Sequence, residues 1–217
     1  MIKLVVLDID GTIFQVYSWQ YIHEKLNTLT QAKAHYEQFL NTQITYEKWA
    51  QLDVALWRNQ PIARIRKIIN QMPYTKGVQD TLANLKLNNM KIFLLSAGIT
   101  QVAERIQKEM GINNYLANSL ITKDGYLTGE VDVNVSFYGK GKHLPWILKK
   151  FNVTAEECAA VGDDPTLVPL FKEVSLAIAF NPTCENVEKN ADVTIRSNDL
   201  RDILPYIYSG TSKSAGN

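Results

Sequence analysis

Residues Ile2 to Ile9 form an almost unbroken aliphatic run, the pattern of a parallel strand buried on both faces. From about Tyr17 to Met72 the apolar positions fall at helical spacing and are rich in aromatics, among them Trp19, Ile22, Leu26, Leu29, Tyr36, Phe39 and Leu40. Pro61 and Pro73 punctuate this stretch, and Pro73 marks the exit of its last helix. Val78 to Leu87 predicts another amphipathic helix, and Lys91 to Leu95 a second buried strand running into Ser96-Ala97-Gly98. Thr100 to Met110 predicts a helix stopped by Gly111. Leu120 to Thr128 predicts a hairpin turning at Asp124-Gly125. After a helix over Lys142 to Phe151, Cys158 to Val161 predicts a third core strand that ends at Gly162-Asp163-Asp164. Ser175 to Ala179 and Asp192 to Ile195 supply two more strands.

Strands alternating with helices predict an α/β fold with a Rossmann-like, doubly wound parallel sheet. The helical stretch after the first strand breaks that alternation and reads as a small inserted cap. The expected division is a core over 1–14 and 76–217, a helical cap over 15–75, and a disordered tail over 209–217.

Composition narrows the function by exclusion. A chain of 217 residues, 46% hydrophobic and 21% charged, can bury a substantial core. A formal net charge of +1 gives no field for nucleic acid or an anionic membrane, and Arg64-Ile65-Arg66-Lys67 reads as a solvated helix face. Cys158 and Cys184 form no disulfide framework, which suits a reducing compartment. The N-terminus carries no signal-peptide pattern and no segment is long enough to span a bilayer, so a cytoplasmic protein is expected. Oligomeric state is not legible.

Polar groups follow three of the buried strands: Asp8-Ile9-Asp10-Gly11-Thr12, Ser96, and Asp163-Asp164. In an open parallel sheet, ligands bind outside the carboxyl ends of the strands at the topological switch point, so these segments converge on one crevice. Asp8 and Asp10 would repel each other there unless a cation or a shared proton compensates. A hard divalent cation held through oxygens does so, with Asp163 as a further ligand, and such a site suits phosphate chemistry.

With those residues in place, the chain resembles the haloacid dehalogenase-like hydrolases. Asp8-Ile9-Asp10-Gly11-Thr12 looks like their first motif, Ser96 the second, Lys140 the third and Gly162-Asp163 the fourth. It resembles the phosphoserine phosphatase branch over nearly the whole core, including Gly139-Lys140-Gly141 and Ala177-Ile178-Ala179-Phe180. The resemblance implies a magnesium-dependent phosphatase acting on a small phosphorylated metabolite. Asp8 would be the nucleophile that forms an aspartyl-phosphate and Asp10 the general acid and then base. Ser96, the Ala97 N–H and Lys140 would hold the phosphoryl oxygens, with Thr12 helping to seat them. Mg²⁺ would be held by Asp8, the Asp10 carbonyl and Asp163, with Asp164 as a further candidate. Lys142 is close to Lys140, but an ungapped reading back from Asp163 selects Lys140. Asp10 also argues for a phosphate ester over a halide, whose departure needs no acid.

Two departures from the branch stand out. Its Asn-Asp pair after Gly-Asp is replaced by Thr166 and Leu167, which leaves Asp164 as the candidate second carboxylate. Its substrate-holding Glu and Arg positions read as Tyr17 and, nearby, Asp53. A phosphoserine head would be left unpaired, a loss on the order of several kcal/mol, which implies another substrate contacted by Tyr17. Tyr17, Trp19, Trp49 and Trp57 with Glu47 and Asp53 could cradle a cationic head group, although aromatics at helical spacing also make an ordinary helical core. A phosphomutase or phosphotransferase of the same superfamily, or a silent phosphate-binding protein, remain the alternatives. The order of the acidic motifs sets aside a response-regulator receiver.

Overall fold

The computed structural model describes residues 1–210; of the expected tail, 211–217 lie outside the described residues. A seven-stranded sheet runs in the order β4-β3-β2-β1-β5-β6-β7. Its strands are β1 (Leu4–Leu7), β2 (Lys91–Ile99), β3 (Tyr115–Lys123), β4 (Tyr126–Asp132), β5 (Cys158–Gly162), β6 (Leu176–Phe180) and β7 (Val193–Ile195). All neighbours pair in parallel except β3 and β4, which form the Asp124-Gly125 hairpin. The chain builds outward from β1 to β4, then returns to β5 on the other side of β1. The switch point therefore falls at β1.

Both faces of the sheet are covered, as the aliphatic strands require. Val5 and Leu7 face one core, shared with Val78, Leu82 and Leu85 of α5 (Val78–Leu87) and with Val102 and Ile106 of α6 (Thr100–Met110). Leu4 and Val6 face the other, with Leu144 and Ile147 of α7 (Leu144–Phe151) and Leu170 and Phe171 of α8 (Val168–Phe171). The short α9 (Glu185–Lys189) and α10 (Leu204–Ser209) complete the core.

Four helices fill the stretch between β1 and α5: α1 (Ser18–Leu26), α2 (Leu29–Leu40), α3 (Tyr46–Ala55) and α4 (Ile62–Ile69). They are fastened to the β3–β4 hairpin by the main chain. Asn59 N–H donates to the Leu127 carbonyl, Leu127 N–H to Gln60, and Ile62 N–H to Gly125, each at 2.9 Å.

One element differs from the sequence reading. The hairpin strand expected to begin at Leu120 begins at Tyr115, and its first residues join the parallel sheet against Leu94 and Leu95. Asn118 and Ser119 interrupt the apolar pattern there, because Asn118 is a fully buried polar hub.

Candidate active site

The register of the central strands assembles the site. Leu7 pairs with Leu94 on one side and Val161 on the other, so polar residues one or two positions further along emerge together. They are Asp8 from β1, Ser96 from β2 and Asp163 after β5; all are buried. The chain then turns sharply, with Ile13 and Phe14 N–H both donating to the Ile9 carbonyl. Gly11 makes the turn possible, with φ of +73°, and a Cβ there would lie 2.2 Å from Asp163 Oδ2.

Asp8 is held at both oxygens. Oδ1 accepts the Ile9 N–H at 2.8 Å, and Oδ2 accepts from Lys140 Nζ at 2.5 Å. Lys140 is buried and Lys142 is exposed, so the geometry selects Lys140 of the neighbouring pair. Burial is the main force on Asp8, pushing its pKa up to about 6 against the attraction of Lys140. For Lys140 burial works downward, but Asp8, Asp164 and Asp163 outweigh it and hold the ammonium above its ordinary value. The directions agree: the lysine faces several carboxylates, whereas Asp8 has one ammonium against burial and Asp164.

Asp10 Oδ2 accepts from Ser18 Oγ at 2.6 Å, while its buried Oδ1 has no partner. Burial pushes its pKa up to about 7, opposed by the Ser18 hydrogen bond and reinforced by Asp8. Gly98 leaves room beside it, since a Cβ there would lie 2.9 Å from Asp10 Oδ2. Gly98 N–H donates to Ser96 Oγ at 2.9 Å, which leaves the Ser96 proton free for another acceptor.

Asp163 spends both oxygens on hydroxyls: Thr12 Oγ1 donates to Oδ1 at 3.1 Å and Tyr17 Oη to Oδ2. Burial, Asp8 and Asp164 push its pKa well above the usual carboxylate range. Asp164 is a turn cap, its Oδ1 accepting the Thr166 N–H at 3.0 Å and the Thr166 hydroxyl. Leu167 is fully buried and fills the space behind Asp8. A Cβ at Gly162 would lie 2.0 Å from Leu167 Cδ1 and 3.0 Å from Asp8 Cβ.

These groups open into a cavity of about 520 Å³ roofed by the inserted helices. Asp8, Asp10, Ser96, Ala97, Lys140 and Asp164 line one part, and Tyr17, Trp19, Tyr36, Tyr46, Trp49 and Phe137 supply aromatic walls, with Asp53 and His23 among them. Of the other sequence-predicted wall residues, Trp57 is buried against His23, their ring centroids 4.8 Å apart, and Glu47 is exposed and off the cavity.

Several residues with no motif to mark them complete the site. The Ala97 carbonyl accepts from Asn118 Nδ2 at 2.8 Å, Tyr46 Oη at 3.0 Å and Trp19 Nε1 at 3.2 Å. Asn118 Oδ1 in turn accepts the Asn134 and Val135 N–H groups, each at 2.9 Å, on the approach to Lys140. Asn118 thus links the Ser96 turn to the lysine loop. An asparagine inside an apolar stretch was the only available signal for it.

The donor set fits a hard cation. Asp8, Asp163 and the Asp10 carbonyl offer oxygen atoms, and the cluster carries more carboxylates than ammonium groups. Among the described residues no three His, Cys, Asp or Glu side chains gather closely enough to hold an ion unaided, so an ion here would need the main chain or water to complete its coordination.

A family model for haloacid dehalogenase-like hydrolases matches residues 2–174. The chain belongs to the haloacid dehalogenase-like hydrolases. Phosphoserine phosphatase of Methanocaldococcus jannaschii is 30% identical over 208 residues, covering 94% of this chain and 97% of that protein. The phosphoserine phosphatase of Idiomarina loihiensis is 27% identical, covering 93% and 91%. A substrate-bound phosphoserine phosphatase complex superposes with a TM-score of 0.84 at 29% identity, covering 95% of this chain and 99% of that one. This haloacid dehalogenase-like hydrolase thus lies in the phosphoserine phosphatase-like branch and is a hydrolase of the phosphoric monoester class. Phosphatases of this family are generally metal-dependent. No helix among the described residues is long and apolar enough to cross a membrane.

Proposed function

We propose that the protein hydrolyses a small phosphomonoester by way of an aspartyl-phosphate on Asp8. The observation that carries this reading is the buried Asp8 carboxylate at the switch point, held by Ile9 N–H and Lys140 Nζ and flanked by Ser96. A carboxylate oxygen of Asp8 attacks phosphorus, and the bond from phosphorus to the ester oxygen breaks. Asp10 gives that oxygen its proton; the unpartnered Oδ1 is the position from which it can do so. Asp10 then takes a proton from the attacking water, the bond from phosphorus to Asp8 breaks, and inorganic phosphate leaves.

Lys140 and the free Ser96 proton serve the phosphoryl oxygens, together with the Ala97 N–H. Thr12 and Tyr17 act on Asp163, so their part is to orient that carboxylate. Mg²⁺, bound through Asp8, Asp163 and the Asp10 carbonyl, would neutralise charge on the phosphoryl group. Residues 15–75 act as the cap that excludes water. A relative of known structure, a phosphoserine phosphatase 29% identical to this chain, carries a phospho-aspartyl intermediate analogue, which supports the covalent route.

The test is Mg²⁺-dependent release of p-nitrophenol from p-nitrophenyl phosphate by wild type and Asp8→Asn. Turnover lost in the variant, with one phosphoryl group per chain detectable on wild type after rapid acid quench, supports the reading. Wild-type activity no higher than that of Asp8→Asn would replace it with silent phosphate binding.

A further inference from the structure

The cavity extends beyond the phosphate groups, and its far walls have a chemistry of their own. Trp49 sits within an aromatic cluster, its ring centroid 5.1 Å from Tyr36, 5.6 Å from Tyr46 and 6.5 Å from Phe137. All four line the cavity, with Tyr17 and Trp19. Set into these walls is a single buried acid, Asp53, 2% exposed.

Asp53 is held by two imidazoles, and among the described residues no lysine or arginine pairs with it. His35 Nδ1 lies 2.7 Å from Oδ1, and His23 Nε2 lies 3.4 Å from Oδ2. His23 is fixed in turn by its Nδ1, which lies 3.1 Å from Trp57 Nε1 and 2.7 Å from Thr28 Oγ1. A buried carboxylate among aromatic faces favours a cation beside it, and its partners among the described residues are the two imidazoles. Aromatic faces attract the same charge.

We infer that this cavity selects phosphomonoesters whose leaving group carries an alkylammonium and no carboxylate, the ammonium lying against Asp53 within the aromatic walls. The inference rests on the phosphatase reading above. A substrate carboxylate would face Asp53 and Asp164, and among the described lining residues the lysine away from Asp8, Lys33, is exposed. Phosphoserine, which carries both charges, is thus a poorer match than phosphocholine or phosphoethanolamine.

The test compares kcat/KM for phosphocholine, phosphoethanolamine, O-phosphoserine, p-nitrophenyl phosphate and neohexyl phosphate, the uncharged carbon isostere of phosphocholine. The two amine esters should exceed neohexyl phosphate by at least about tenfold, and phosphoserine should fall below both. Asp53→Asn should bring the ratio of phosphocholine to neohexyl phosphate close to one. Turnover of p-nitrophenyl phosphate without a wild-type preference for the amine esters overturns the inference and leaves the phosphatase reading standing. So does a preference for phosphoserine. The wild-type ratio needs no variant, so a failure of Asp53→Asn to fold leaves the decision intact. If no ester is hydrolysed, the phosphatase reading falls, and calorimetry with the two isosteres and Mg²⁺-loaded protein decides the cation site. Tighter binding of phosphocholine supports it, and equal binding overturns it.

Discussion

Replacing Asp10 by Asn separates the two roles proposed for that residue. Asparagine has the same shape, can still accept from Ser18 Oγ, and places an N–H₂ where the unpartnered Oδ1 lies. It keeps a donor aimed at the cavity but cannot deliver a proton. For an alkyl ester, whose alkoxide is a poor leaving group, phosphoryl transfer to Asp8 should slow by about a hundred- to ten-thousand-fold, the usual worth of a positioned general acid. p-Nitrophenol departs as a stabilised anion and needs no acid. The variant should therefore release a rapid burst of p-nitrophenol approaching one per chain, then turn over slowly because no base activates water on the aspartyl-phosphate. Stopped-flow absorbance measures the burst, and rapid-quench phosphate assay follows the alkyl ester. A variant that slows the p-nitrophenol burst as much as alkyl ester cleavage would refute the assignment, since the loss would then have nothing to do with protonating the leaving oxygen.

Other consequences follow from the same geometry. Lys140→Met leaves a buried Asp8 without its ammonium; turnover should drop at least about a hundredfold, with about 3 kcal/mol of stability lost at pH 8 in urea titrations. That deficit should shrink towards pH 5, where Asp8 becomes protonated and no longer needs a partner. In metal-free wild type, the Asp10 pKa of about 7 in the fold lies above its ordinary 3.8, so the folded state binds the extra proton. Stability should therefore fall as pH rises between about 4 and 7, by on the order of 4 kcal/mol from this group, and urea midpoints for Asp10→Asn should show a flatter slope. Gly11→Ala forces a Cβ at φ +73° against Asp163, so thermal unfolding should show a loss above about 1 kcal/mol and Mg²⁺ titration of activity a weaker response. Tyr46→Phe removes one of the donors at the Ala97 carbonyl and should lower stability by about 1 kcal/mol, with kcat reduced more strongly when Trp19→Phe is added.

The residues at the strand ends were legible because a parallel sheet turns position along a strand into position in space. Asp8, Ser96 and Asp163 each follow an aliphatic run, and strand register alone brings them together. Lys140 could be chosen over Lys142 by alignment, and burial against Asp8 gives the physical reason. Which partner claims each oxygen was not legible. Asp164 reads as a spare ligand in sequence, and its Oδ1 also caps the next turn by accepting the Thr166 N–H two residues on. Thr12 and Tyr17 read as phosphate and substrate contacts, and both hydroxyls turn to Asp163. Asn118 was hidden for another reason: its strand begins where polar residues break the apolar pattern, so neither the strand nor its central residue announced itself.

The first turn of α1 shows how tightly the insertion is joined to the chemistry. Tyr17, Ser18 and Trp19 are consecutive, and each reaches a group at the end of a different central strand. Tyr17 bonds Asp163 after β5, Ser18 bonds Asp10 after β1, and Trp19 bonds the Ala97 carbonyl in β2. Successive residues at the start of a helix point in different directions, about a hundred degrees apart, which is what allows one turn to touch all three. Shifting this turn as a rigid piece would break all three hydrogen bonds at once and leave buried oxygens of Asp10 and Asp163 without their hydroxyl donors. Tyr17 to Trp19 are therefore part of the polar network of the core. The aromatic walls come from α2 and α3; α3 is tied to β2 by Tyr46 Oη, which donates to the Ala97 carbonyl at 3.0 Å, and the main-chain bonds of Asn59, Gln60 and Ile62 to the hairpin hold the far end of that segment. The aromatic walls and the Ser96 turn therefore share a support, and a change in the placing of α3 reaches both.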